Sequence, residues 1–178
     1  RISNGQKSLS SNMILADAVE EAVMDVSKQD FVVRDPEFRA RVQGSFDRQG
    51  FMKLIGAEIT GLEPGFCEIA IDHRPELTQQ IGLFHGGVMG TLADTACGYA
   101  AYSLMAAQDS LLTVEYKLNI MGPGDGERLS VRANVVRAGA RLTVCEGRLY
   151  IEKTGIEKEC GLVTATMMRL PDTSDMPD

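Results

Sequence analysis

Histidine is scarce in this chain of 178 residues, with only His73 and His85. Its four cysteines, Cys67, Cys97, Cys145 and Cys160, lie far apart with no Cys-x-x-Cys spacing. That combination argues against a bound zinc or other metal and implies no disulfide framework. Three of the cysteines sit in strongly apolar segments, where a free thiol packs as a small hydrophobe, so a reduced, cytoplasmic setting is expected. Lys and Arg form no basic stripe, and a net charge of −7 with a pI near 4.9 argues against a nucleic-acid partner. An anionic ligand would need a few arginines close by, since distant acids are screened within about 8 Å at physiological salt. The first residues, Arg1 to Asn12, are polar and lack the apolar core of a signal peptide, so no export is expected. Internal repeats and low-complexity tracts are missing too.

What is present suits one domain with a substantial core, since 44% of residues are hydrophobic and 24% charged. From Met13 to Ser27, Ile14, Leu15, Ala18, Val19, Ala22, Val23 and Val26 recur at helical spacing. A second helix is expected after Pro36, where Phe38, Val42 and Phe46 repeat every four residues, with Gly50 ending it. The period then changes to two: strands are expected over Phe51 to Thr60 and Phe66 to Asp72, joined by a turn at Gly61-Leu62-Glu63-Pro64-Gly65. A long helix follows from Gly86 to Gln108. Its length would cross a bilayer, but its glycines, hydroxyl residues and Asp94 mark a core helix, and no membrane partner is expected. Four more strands follow, over Leu111 to Met121, Glu127 to Arg137, Arg141 to Glu152 and Lys158 to Leu170. This order is an α+β layout, an antiparallel sheet wrapped around one long central helix.

Asp94 is the one formal charge on that helix. A lone carboxylate among apolar neighbours costs stability unless it is paired, solvated or used. At about 100° per residue it shares a face with Gly87, Gly90, Thr91, Cys97, Gly98 and Ala101. Each helical glycine gives up roughly 0.5–1 kcal/mol relative to alanine, so a backbone or a narrow ligand should approach closely there. The plainer alternative is a tightly packed core helix with Asp94 held in a buried hydrogen bond. Cys97 on the same face would be a poor nucleophile, because the nearby Asp94 has the wrong charge to favour a thiolate.

Two runs carry a family resemblance: Leu77-Thr78-Gln79-Gln80-Ile81-Gly82-Leu83-Phe84-His85-Gly86-Gly87, and Leu92-Ala93-Asp94-Thr95-Ala96-Cys97-Gly98-Tyr99-Ala100-Ala101. With the strand from Leu112 to Asn119 and the ending Ala165-Thr166-Met167-Met168-Arg169-Leu170-Pro171, they resemble the hotdog-fold acyl-CoA thioesterases of the phenylacetate-degradation (PaaI-like) group. The resemblance covers roughly Gly50 to Pro171. It implies a hotdog domain over residues 50–171, an N-terminal helical extension over 1–49 and a flexible tail over 172–178.

The resemblance further implies that Asp94 is the catalytic carboxylate, as general base or nucleophile toward an acyl-CoA thioester. It makes Gly87 the residue whose backbone N–H polarises the carbonyl, a role suited to the unpaired donors of a helix start. Gln79 matches a position where relatives carry Asn or Gln facing the substrate or water, with Gln80 beside it, and Thr113 matches a water-orienting hydroxyl. His85 stands at the family's His and reads as an organiser of the helix start rather than a proton carrier. Such proteins need no cofactor and form homodimers or homotetramers with active sites at the subunit interface.

Arg137 and Arg141, flanking the Ala138-Gly139-Ala140 turn, are the expected contacts to CoA phosphates, ahead of Lys117 and Arg169. Phe84, Tyr99, Tyr102 and Met105 either shape an acyl pocket or belong to the core. Two other functions stay open on sequence: a hotdog protein that binds an acyl-CoA or aromatic ligand without turnover, and a hotdog hydratase or dehydratase.

Overall fold

The computed structural model describes residues 31–173, all within the unit Phe31–Asp178. The expected helix over Met13 to Ser27 and the end of the tail lie outside the described residues. Helix α1 (Phe38–Arg48) follows Pro36 and buries Phe38, Val42 and Phe46, the three residues of its four-residue repeat. Helix α2 (Gly50–Ile55) stands where the first half of a strand was expected, so Gly50 opens a helix instead of closing one.

A short apolar run fits either period. In α2 the buried pair is Met52 and Ile55, while Phe51 and Leu54 remain exposed. Gly56 closes the helix in the left-handed region at φ 75°, its N–H donating to Met52 O and Lys53 O. Strands β1 (Glu58–Glu63) and β2 (Phe66–Asp72) pair as a hairpin whose turn is only Pro64-Gly65, with Gly65 at φ 75°. Gly61, expected in that turn, sits inside β1 at a bulge.

Helix α3 (Gly86–Tyr102) precedes β3 (Ser110–Ile120), β4 (Arg128–Ala138), β5 (Leu142–Lys153) and β6 (Ile156–Leu170). The six strands form one antiparallel sheet in the order β1-β2-β4-β5-β6-β3. On α3, Leu92, Ala93, Ala96, Cys97 and Ala100 have no exposure and join the core formed with Ile69, Val131, Leu149, Val163 and Met167 of the sheet. Each large aliphatic side chain so buried stabilises by about 1.5–3 kcal/mol, which is what fixes α3 against the sheet. Cys97 and Ala101, expected beside Asp94, therefore turn into the core, and the half-exposed stripe is Val88, Thr91, Asp94 and Thr95.

Helix α3 stops at Tyr102, short of the expected Gln108, because the side chain of Ser103 and a distant arginine take over its last carbonyls. Ser103 Oγ donates to Ala100 O at 2.7 Å and accepts from Gly65 N at 2.8 Å. Arg41 Nη2 on α1 donates to Tyr102 O at 3.2 Å and Met105 O at 2.9 Å, placing a cation at the negative end of the helix. No helix among the described residues is long and apolar enough to cross a membrane.

Candidate active site

Asp94 lies half-buried midway along α3, and Thr113 on β3 donates its hydroxyl to Asp94 Oδ1 at 2.8 Å. Thr91 and Thr95 spend their own hydroxyls on the carbonyls of Gly87 and Thr91, so Thr113 is the only hydrogen-bond donor to this carboxylate among the described residues. The pairing is long-range and depends on register. Thr113 sits opposite the buried Met167 of β6, which turns its side chain toward the helix, and the strand is irregular between Thr113 and Glu115. Asp94 and Thr113 open onto a cavity of about 270 Å³, bounded also by Tyr99 of α3, Leu111 of β3, Ser45 of α1, and Gln49, which caps the end of α1.

At the start of α3, His85 is the N-cap, and its Nδ1 accepts the Gly87 N–H at 2.9 Å. An accepting Nδ1 assigns the ring proton to Nε2 and makes His85 an organiser of the helix start. That bond engages within the chain the Gly87 amide, the group expected to polarise the carbonyl. The Gly86 amide, one residue earlier and exposed, donates to no described residue and is the open donor at this helix end. The close approach that the helical glycines foreshadow is made in part by β3. An alanine Cβ at Gly90 would lie 3.1 Å from the Tyr116 hydroxyl, and one at Gly86 3.3 Å from Ile120 Cδ1.

Gln79 lies in the loop entering α3. Its N–H donates to Leu83 O at 2.9 Å and its carbonyl accepts from Gly82 N at 3.0 Å, while its side-chain amide has no hydrogen bond among the described residues. Gln80 beside it is exposed. Arg137 and Arg141 are exposed at the turn between β4 and β5 and form no ion pair among the described residues. Arg141 O accepts from Arg169 N, and Arg169 is opposite Leu111, so the turn lies at the Thr113 end of the sheet, about two strand spacings from β3.

Arg169 itself is committed to Asp109, with Nε and Nη2 donating at 2.6 and 2.9 Å. Those hydrogen bonds hold the buried Asp109 carboxyl below its ordinary value of 3.8. Lys117 pairs in register with the exposed Thr164, on the sheet face away from α3. Burial, with lesser contributions from Cys145 and Asp94, pushes the Cys97 thiol well above its ordinary range, which removes it as a nucleophile.

Residues 81–158 match the thioesterase superfamily. A crystal structure of a thioesterase family protein from Silicibacter pomeroyi aligns with a TM-score of 0.74 and 42% identity, covering 75% of this chain and 98% of that one. The chain belongs to the thioesterase superfamily. Its fold is the hotdog fold, and hydrolysis of a thioester is the general chemistry that membership supports. The PaaI protein of the Escherichia coli phenylacetic acid degradation operon shares the thioesterase's architecture, with a TM-score of 0.69 and 19% identity over 79% of this chain and 99% of that one. The medium/long-chain acyl-CoA thioesterase YigI of Escherichia coli K12 is 22% identical to this thioesterase over 118 residues, covering 58% of this chain and 76% of that protein.

Sequence reasoning did not place Ser45 and Gln49 of the thioesterase beside the cavity. The signal was a polar pair four residues apart, flanking the buried line of Val42 and Phe46 on α1.

Proposed function

We propose that this thioesterase hydrolyses acyl-CoA thioesters to a carboxylate and free CoA at a site assembled from two copies of the chain. The observation that carries the reading is the Thr113 hydroxyl on Asp94 Oδ1 at the mouth of the cavity. One carboxylate oxygen is oriented by that bond, and the other is left for water or for the carbonyl carbon. As general base, Asp94 removes a proton from water as its oxygen adds to the thioester carbon, and collapse of the tetrahedral species expels the CoA sulfur, which takes up the proton. As nucleophile, Asp94 adds to the thioester carbon and expels the CoA thiolate, and water then opens the resulting mixed anhydride to the carboxylate product and free Asp94, its proton passing to the thiolate.

The developing oxyanion needs a preorganised donor within about 3 Å. The Gly86 amide supports that role better than Gly87, whose N–H is held by His85. Gly86 and Asp94 are eight residues apart on one helix, about 12 Å at 1.5 Å per residue, so a single carbonyl group cannot reach both in one chain. A second copy resolves this. β3 is an edge strand whose Leu112, Val114, Tyr116 and Ile120 are 45–55% exposed, and an unpaired apolar edge beside α3 favours pairing with its own kind. The Gly86 amide of one protomer and Asp94 with Thr113 of its partner then share one thioester. Gln79, whose side-chain amide is unspent among the described residues, would contact substrate or water at the helix start, and the guanidinium groups of Arg137 and Arg141, without ion pairs among the described residues, would meet the CoA phosphates. The likeness to YigI, a medium/long-chain acyl-CoA thioesterase, supports acyl-CoA as the substrate class.

Thiol release from a panel of aryl-, short-, medium- and long-chain acyl-CoAs tests the reading. Asp94→Asn should keep the fold and acyl-CoA binding while lowering kcat by about 10²–10⁴-fold. Undiminished turnover in that variant removes Asp94 from the mechanism.

A further inference from the structure

We infer that the cavity beside Asp94 ends in a hydrogen-bonding wall supplied by α1 and its C-cap residue, and that this wall selects acyl groups with a polar atom at the end remote from the thioester. The inference rests on the acyl-CoA reading above. The cavity follows α3 from Asp94 and Thr95 past Gly98 to Tyr99 and Tyr102. Asp94, Gly98 and Tyr102 recur every four residues and line one helix face over about 12 Å of rise.

The reacting end holds the carboxylate and Thr113, and the wall contributed by α1 is polar instead of greasy. Gln49 Nε2 donates to the Tyr99 hydroxyl at 2.8 Å, and that hydroxyl donates to Ser45 Oγ at 3.3 Å. These bonds leave the Gln49 carbonyl oxygen and the Ser45 hydroxyl hydrogen without partners among the described residues, one acceptor and one donor at the same wall. A hydroxyl or amide on the acyl group satisfies both. A plain alkyl chain displaces their water and returns no hydrogen bond, which costs about tenfold or more in affinity.

The wall is also anchored, which a specificity element requires. Arg41 bonds the carbonyl of Tyr102 at the end of α3 and that of Met105 just beyond it, pairs with Asp35 at 2.6 Å, and lies 4.1 Å over the Tyr102 ring. Phe46 meets Tyr99 edge-on at 5.7 Å, so α1 carries Ser45 and Gln49 at a set distance from α3.

The test uses the full chain and two matched pairs of ligands. Hexanoyl-CoA against 6-hydroxyhexanoyl-CoA reads turnover by thiol release, and the non-hydrolysable thioethers hexyl-CoA against 6-hydroxyhexyl-CoA read binding by calorimetry. The hydroxylated member should win by about tenfold in both kcat/KM and Kd. Gln49→Leu should reverse the preference toward the plain chain, and Ser45→Ala should bring the ratio toward one. Equal or reversed preference in the unaltered protein overturns the inference, as does a ratio that survives both substitutions. Should no acyl-CoA release thiol, hydrolysis fails as a reading, while the thioether binding ratio still decides the wall.

Discussion

Two neighbouring amides at the start of α3 differ in what they bond: one is held by the cap and the other is open. His85 caps the helix through the Gly87 N–H, which leaves the Gly86 N–H as the donor facing outward. If the imidazole acts only as a cap, another good cap should replace it. His85→Asn is expected to retain stability and most of the turnover, whereas His85→Ala should lose about 1 kcal/mol in denaturant unfolding. A His85→Asn protein as inactive as Asp94→Asn would instead make the imidazole a proton carrier. Asp94 shows the same economy at one residue: its neighbours on the helix bond their own backbone, so among the described residues only one on a strand orients the acid.

At the level of elements, β3 must be held in register for Thr113 to reach α3. Its entry is pinned by Asp109, a fully buried carboxylate that accepts from both Arg169 on β6 and the Ala106 N–H. The Arg169 hydrogen bonds depress the folded-state value of this acid below 3.8, so the folded protein binds its proton less readily than the unfolded chain. The stabilisation is therefore complete above the ordinary aspartate range and is withdrawn as pH falls through the depressed folded value. Asp109→Asn should lower Tm at neutral pH, and the gap in Tm between the two proteins should narrow on acidification below about pH 4. A gap that stays constant on acidification shows that the pair contributes nothing through charge. α2 illustrates a different balance, in which a six-residue apolar run becomes a helix because Gly56 can close it in the left-handed region.

For the whole molecule, the open edge of the sheet and the 12 Å between Gly86 and Asp94 are the grounds for the proposed two-chain site. Tyr116 stands at that edge beside Gly90, 45% exposed. Tyr116→Asp is expected to shift the mass in light scattering from dimer to monomer and to lower thiol release in step with the loss of dimer. A monomeric, fully active thioesterase before any substitution would refute the shared site. The acidic total, −7, leaves Arg137 and Arg141 as local exceptions near the Thr113 end of the sheet, where an anionic ligand would have to be met.

The sequence by itself determined the parts written in local pattern. The four long strands follow from their alternation and the turns between them, and the central helix from its apolar run. Asp94 stood out because one charge on such a helix needs a reason. Tertiary structure alone decided the parts that join distant segments. Gln49 meets Tyr99 fifty residues away, Arg41 ends α3 from sixty-one residues away, and Thr113 reaches Asp94 across a sheet whose strand order is not the chain order. Periodicity carries information over a few residues, whereas such contacts arise only when burial of the shared core brings the elements together.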